Sequence, residues 1–383
     1  MIDLFADGIG QVIDLLTIWV LPILLVLGAL VFFHELGHYS VARWCGVRIE
    51  AFSIGFGREV VGWNDKAGTR WRIALLPLGG YVKFAGDENA ASAPGSNFDP
   101  DDPSIFHNKP LWQRAAVVFA GPAANFILAV VIFVGLFTAL GQPYTPARIN
   151  TVQPDSAAFE AGLQPGDLIV EANGERIDDF ADLKRIVAIN LDRPLSLLVE
   201  RDGQVIARDM TPRIVEEDDG FGRTSRAGRI GVTVTSDGAY RQVGLGGAVV
   251  ESVERVWETV TASLTAVGDM VVGNRSVNEL RGPPGIAEVV GEVAQLGIVP
   301  LINLAAFLSI SLGLINLFPI PMLDGGHLLF YAVEAVRGRP LSESAQEIGY
   351  RIGLALVVGL MVLVTVNDIG HFGLFDQVQN LFS

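Results

Sequence analysis

Long apolar runs dominate the pattern of this chain. Four segments stay apolar over about the 20 residues that a helix needs to cross a bilayer: Leu16–Trp44, Ala115–Leu140, Pro300–Leu323 and Ile352–Val366, the last being the shortest. Each is expected to span a membrane. Between the second and third spans the period changes. Alternating apolar and polar positions predict strands at Ala147–Val152, Asp167–Ala172 and Leu195–Arg201, set off by the turn signals Gln164-Pro165-Gly166-Asp167, Asn173-Gly174 and Asp202-Gly203. Phe180, Leu183, Ile186 and Val187 share one face of a helix expected over Phe180–Ile189. Residues 145–213 therefore read as a compact α+β domain inserted into a membrane α-helical chain. Residues 214–299 read as a connection: Glu216-Glu217-Asp218-Asp219-Gly220 is a solvated linker, and Val249–Val272 is an amphipathic helix that lies on the membrane or packs on the domain.

Composition sharpens this picture. Half of the 383 residues are hydrophobic, and the excess sits in the four runs rather than spread through one large core. The formal net charge of −15 argues against nucleic acid as a partner. Cys45, the single cysteine, can form no internal disulfide and no cysteine-rich zinc site. No Lys or Arg precedes Arg43, so the first run lacks the basic flank of a cleaved signal and is expected to be a retained span. The loop after it carries Arg43, Arg48, Arg58, Lys66, Arg70, Arg72, Lys83, Lys109 and Arg114; Arg337, Arg339 and Arg351 lie between the third and fourth spans. Basic residues stay in the cytosol, which places both termini and the α+β domain outside.

The candidate chemistry sits in the first and third spans. In His34-Glu35-Leu36-Gly37-His38 the two histidines share a helical face and can reach one Zn²⁺, with the intervening glutamate as base for a water. Ionisable residues inside a span mark function. A catalytic zinc needs a third protein ligand. Pro319 and Pro321 should break the third span, and Asp324 lies just past that break. Both spans run in the same direction. His34 falls about 22 Å along the helix from Trp19, and Asp324 about 30 Å or more from Pro300, so both reach the cytosolic side. His327 is a rival third ligand; His107 and His371 read as ordinary polar residues.

These motifs carry a family resemblance. His34 through His38, Gly121-Pro122-Ala123-Ala124-Asn125, and Asn316 through Asp324-Gly325 resemble the site-2 protease family of intramembrane zinc metalloproteases, and within it the bacterial regulator of sigma-E protease group. Ser53-Ile54-Gly55-Phe56-Gly57, Leu76 through Val82, and Gly282-Pro283-Pro284-Gly285-Ile286 fit as well. The resemblance covers nearly the whole chain. It implies zinc on His34, His38 and Asp324, Glu35 as the catalytic group, and Asn316, Gly79, Gly80 and Asn125 on the substrate side. Residues 1–140 would hold the first two spans with a re-entrant β-element at about 51–86, and residues 300–383 the last two. The inserted domain resembles a PDZ domain, most clearly at Ala161-Gly162-Leu163-Gln164-Pro165-Gly166-Asp167, where the best-known relatives carry two in tandem. Its peptide groove is expected between Ala147–Val152 and the Phe180–Ile189 helix. The resemblance further implies a multi-pass protein of the bacterial inner membrane, in contact with lipid, that cuts single-span proteins such as anti-sigma factors after a site-1 protease has trimmed them. Two rival functions are an inert membrane scaffold working through its PDZ domain, and a metal transporter. An intact Glu35 argues against the first, and an almost wholly apolar fourth span against the second.

Overall fold

The computed structural model describes residues 15–87, 99, 101–190, 193–218, 224–234, 239–273, 276 and 280–371. They fall into two compact units. One lies within Met1–Phe133, Ser252–Leu264 and Val277–Ser383, the other within Val134–Glu251 and Thr265–Ser276.

The first unit holds four helices long and apolar enough to cross a membrane, as the hydropathy pattern requires. A π-helical turn at Leu15–Val20 leads into α1 (Leu21–Trp44). The second span is α2 (Leu111–Leu140). The third is shorter than the apolar run that announces it. This helix, α7 (Ile298–Leu317), ends where Phe318 turns extended ahead of Pro319, because a residue before proline is pushed out of the helical region. The chain restarts as a separate helix at Asp324. The fourth spanning helix, Glu343–His371, extends well beyond its apolar centre at both ends.

Between the first two spans, β1 (Ile49–Asn64) and β2 (Arg70–Phe84) form a doubled hairpin. Residues 49–54 pair on one side with residues 80–84 and on the other with residues 70–73, and residues 59–64 pair with residues 70–74. The four strand segments therefore lie in the order 80–84, 49–54, 70–74, 59–64. Among the described residues, the segment from Gly80 to Phe84 pairs on one edge only. Phe52, 1% exposed, stacks on Trp71 at 4.2 Å and ties the hairpin to α1 through Tyr39. Asp65 closes the turn by accepting from the Ala67 and Thr69 amides, Tyr39 Oη and Trp71 Nε1. Burial opposes its ionisation, but these bonds outweigh burial and hold its carboxyl down at about 2.

Lipid offers little hydrophobic gain for helix association, so close approach and polar contacts carry more weight here. Gly37 of α1 packs on the backbone of Ala120 in α2, which leaves no room for a Cβ. Ser309 of the third span donates to the Asn125 carbonyl of α2 at 2.8 Å. A further helix, α6 (Pro283–Gln295), lies in the stretch expected to be a linker. Its Val290 is buried with Val26 and Leu30 of α1, and the Asp368 carboxylate accepts from the Gly282 and Gly285 amides at its start.

The second unit is the α+β domain. The strands and helix expected from periodicity form, with β4 at Ile149–Val152, β5 at Leu168–Ala172, β7 at Leu195–Arg201 and α4 at Phe180–Ile189. Ahead of them come β3 (Gln142–Tyr144), and between them α3 (Ala157–Glu160) and β6 (Glu175–Arg176). With β8 (Gln204–Met210) the main sheet has the order β6-β5-β7-β8. Asn173 and Asp202 adopt the positive φ that a tight hairpin turn before glycine demands. Its core includes Ile149, Ile169, Leu183, Leu195 and Leu197, all 1% exposed or less; burying each contributes about 1.5–3 kcal/mol.

Two expectations need correction. The domain does not stop at residue 213, because β9 (Arg213–Asp218) pairs with β10 (Thr224–Arg229), β11 (Val232–Val234) pairs with β4, and Ile230 lies in the core. The acidic run expected as linker thus opens within a strand, while Asp219 and Gly220 lie outside the described residues. Nor does the Ala147–Val152 strand offer an open edge. Residues 149–152 pair with β11, and residues 147–149 bond to residues 167–169 on the opposite side. The chain then passes through β12 (Ala239–Arg241) into α5 (Leu245–Val271).

Candidate metal centre

Three side chains from two spanning regions converge in the first unit. His34 and His38 stand one turn apart on α1, and their Nε2 atoms are 3.2 Å apart. His34 Nε2 lies 3.2 Å from Asp324 Oδ2, and His38 Nε2 lies 3.5 Å from Asp324 Oδ1. Ligand atoms of all three fall within 4.8 Å of one another. A tetrahedral zinc with bonds of about 2.0–2.1 Å has ligand-to-ligand edges of about 3.3–3.4 Å; the histidine pair is close to that edge, and each histidine has one Asp324 oxygen near it, Oδ2 for His34 and Oδ1 for His38. Asp324 Oδ2 is buried and receives no hydrogen bond. Two imidazoles and an orphaned carboxylate oxygen at this spacing fit a zinc ion.

Local sequence explains the convergence. Residues 318–323 break the helix, and Met322 takes a φ of 91°, a conformation disfavoured without glycine. That corner starts the helix α8 (Asp324–Arg337). Gly325 and Gly326 then press against the Leu317, Phe318 and Ile320 carbonyls, where a Cβ would collide. At the far end of α8, Arg114 from the start of α2 donates to Glu334 at 2.6 and 3.3 Å. Opposite the histidines, Gly121 of α2 lies so close to both rings that any side chain would strike His38 Nε2. His38 Nδ1 donates to the Val117 carbonyl at 2.8 Å, which leaves the Nε2 lone pair free for a metal.

The centre opens into a cavity of about 870 Å³, whose lining includes His34, Glu35, His38 and Asp324 together with Gly79, Gly80 and Asn316. Glu35 faces the Val82 amide of β2. Gly80 lets that strand approach, because a Cβ there would come within 3.0 Å of Glu35 Cγ. Asn125 does not belong on the substrate side. It is 0% exposed, is absent from the cavity lining, and its amide meets His34 Nδ1 at 3.2 Å, behind the metal centre. His327 lines the cavity near Tyr350, outside the group of converging ligands. His107 pairs with Asp87 at 3.0 Å, and His371 ends the last helix. Tyr331, Tyr350 and Glu334 escaped the sequence reading, and Arg114 entered it only as a loop charge; the 220 residues between Arg114 and Glu334 leave no local signal of their contact.

Comparison with known proteins agrees with this geometry. The model of peptidase family M50 matches residues 22–373. A protein of Agrobacterium fabrum named as a candidate zinc metalloprotease is 46% identical over 362 residues, covering 92% of this chain and 96% of that one. The metalloprotease MmpA of Caulobacter vibrioides is 38% identical over 393 residues, covering 96% and 99%. Among solved structures, the PDZ domain of an SdrC-like protein from Listeria innocua is similar at 13% identity and a TM-score of 0.20, covering 26% of this chain and 99% of that one. Family model and relatives together place the chain in peptidase family M50, the site-2 protease family of zinc metalloproteases.

Proposed function

We propose that this protein hydrolyses a peptide bond within or beside the membrane span of a single-span protein, an anti-sigma factor for example, after a site-1 protease has removed the outer part. The observation that carries the reading is Glu35, held next to His34, His38 and Asp324 in one cavity among membrane-length helices. A binding scaffold needs no carboxylate at that position.

When bound, zinc supplies Lewis acidity toward a peptide carbonyl and acidifies water. Glu35 takes the proton of the attacking water on a carboxylate oxygen. The water oxygen adds to the carbonyl carbon. The C–N bond then breaks as Glu35 passes its proton to the leaving nitrogen, giving a carboxylic acid and an amine. The Asn316 amide, which lines the same cavity, stabilises the charge on the carbonyl oxygen.

A helical substrate buries its backbone, so it must unwind before attack. The free edge of Gly80–Phe84 supports strand addition as the way an extended segment is held beside Glu35. In the α+β domain, β4 is paired on both sides but β11, among the described residues, on one only, which supports β11 as the edge for a peptide ligand of a PDZ-type domain. The basic loops support a topology with the metal centre toward the cytosol and the α+β domain outside, and the reading takes the membrane to be a bacterial inner membrane. The test is mass-spectrometric mapping of products from a tagged single-span substrate in proteoliposomes. A cut inside the span, faster after outer trimming, is expected; a cut confined to soluble segments would overturn the reading.

A further inference from the structure

We propose that Asn125 is a positioning residue of the metal centre: its side-chain oxygen accepts a hydrogen bond from Nδ1–H of His34 and so aims the Nε2 lone pair at the metal. The proposal rests on the zinc centre and not on any substrate.

The geometry starts from a conflict. The Asn125 side-chain nitrogen sits 3.2 Å from His34 Nδ1. An amide nitrogen only donates, so in that orientation Nδ1 must accept, and the neutral ring then carries its proton on Nε2. Yet Nε2 is the atom that faces Asp324 and His38 at 3.2 Å. A proton there would close the ligand position. Oxygen and nitrogen of an amide are interchangeable in shape, and their assignment follows from the bonding around them. At its present position the Asn125 oxygen is buried and receives no hydrogen bond, so nothing holds it there. Turning the amide by half a turn sets the oxygen against Nδ1, gives it a donor, and moves the ring proton from Nε2 to Nδ1.

The neighbouring ligand supports the same logic. His38 donates from Nδ1 to the Val117 carbonyl, also on α2. Val117 and Asn125 lie eight residues apart, about two turns, and so share a face of that helix. One helix then supplies the outer acceptors for both histidines, and both present Nε2 inward. Asn125 is itself fixed: Ser309, 0% exposed, donates to its backbone carbonyl at 2.8 Å. An asparagine that positions a ligand needs that rigidity, and one that contacts substrate would need exposure, which Asn125 lacks.

The experiment measures zinc affinity by chelator competition on the purified full chain in detergent, comparing wild type with Asn125→Asp and Asn125→Leu. Thermal melts with chelator present verify that each variant is folded without metal. Aspartate accepts but cannot donate; leucine keeps the volume and does neither. The expected result is a loss of about 10–100-fold in affinity for Asn125→Leu and a change of about threefold or less for Asn125→Asp. Wild-type affinity in a folded Asn125→Leu, or a loss in folded Asn125→Asp equal to that of leucine, would overturn the proposal. Should either variant fail to fold, nitrogen NMR of His34 in the zinc-loaded wild type decides. A proton on Nδ1 that exchanges slowly sustains the proposal, and an unprotonated Nδ1 overturns it. None of these readouts depends on cleavage, so a protein with no identified substrate still tests the role of Asn125.

Discussion

Replacing Gly121 by alanine should push the two metal-binding histidines out of place. A Cβ built on Gly121 lies 2.5 Å from His38 Cε1 and 2.9 Å from His34 Cε1, where ordinary contact begins at 3.4 Å. The rings must retreat by at least about 0.9 and 0.5 Å, several times the tolerance of about 0.2 Å for a metal–ligand distance. They cannot slide freely, because His38 is tied to Val117 and His34 sits against Asn125. The substitution raises helix propensity by about 1 kcal/mol, so loss of the helix is no competing cause. Zinc affinity should fall by at least about 10-fold and cleavage by on the order of 10²-fold. Gly135→Ala on the same helix is the control, since a Cβ there meets nothing within 4 Å. Zinc retained by chelator competition is the assay. Wild-type affinity in folded Gly121→Ala would refute the claim that α2 sets the position of the histidines.

Other outcomes follow from the same structure. Glu334→Gln should unlock the C-terminal end of α8 from α2; the pair is 16% and 17% exposed, so the loss lies between the ~1 kcal/mol of a surface pair and the ~3–5 kcal/mol of a buried one, read as a lower Tm in detergent. Arg114→Gln in the Glu334→Gln background should add less than it does alone, and full additivity would count against the contact. In the α+β domain, burial opposes ionisation of Asp167, but Arg201 and the Gln164 amide outweigh it and hold the carboxyl below its usual range. A depressed folded pKa gives stability that is present above about pH 4 and lost as pH falls through the lowered value. Hydrogen exchange in residues 162–201 should therefore accelerate as pH falls below the usual carboxylate range, and Arg201→Met should move that onset upward; identical profiles would deny the linkage.

Much of the site was legible because its parts announce themselves locally. His34, Glu35 and His38 occupy one turn, and two prolines mark the break before Asp324. Reading the two spans as running in the same direction brought those parts together in expectation, and the structure places the three side chains in one group. What stayed hidden depends on contacts far apart in sequence. β11 is three residues long and gains its meaning only by pairing with β4, and β9 carries a run of acidic residues that resembles a linker. The edge of residues 147–152, expected to flank a peptide groove, is covered for the same reason, since β11 pairs with it. Asn125 was visible as a motif residue, but only its burial and its distance to His34 separate a ligand-orienting role from contact with substrate.

The measurement that tests the central claim most directly compares wild type with Glu35→Gln for cleavage of a tagged single-span substrate and for zinc content. Glu35 is not among the converging ligands, so its amide should leave about one zinc per chain in place while cleavage falls by on the order of 10²–10⁴-fold. Glu35→Gln that cuts at the wild-type rate with zinc bound would contradict the account, because the proton of the attacking water would then have another acceptor.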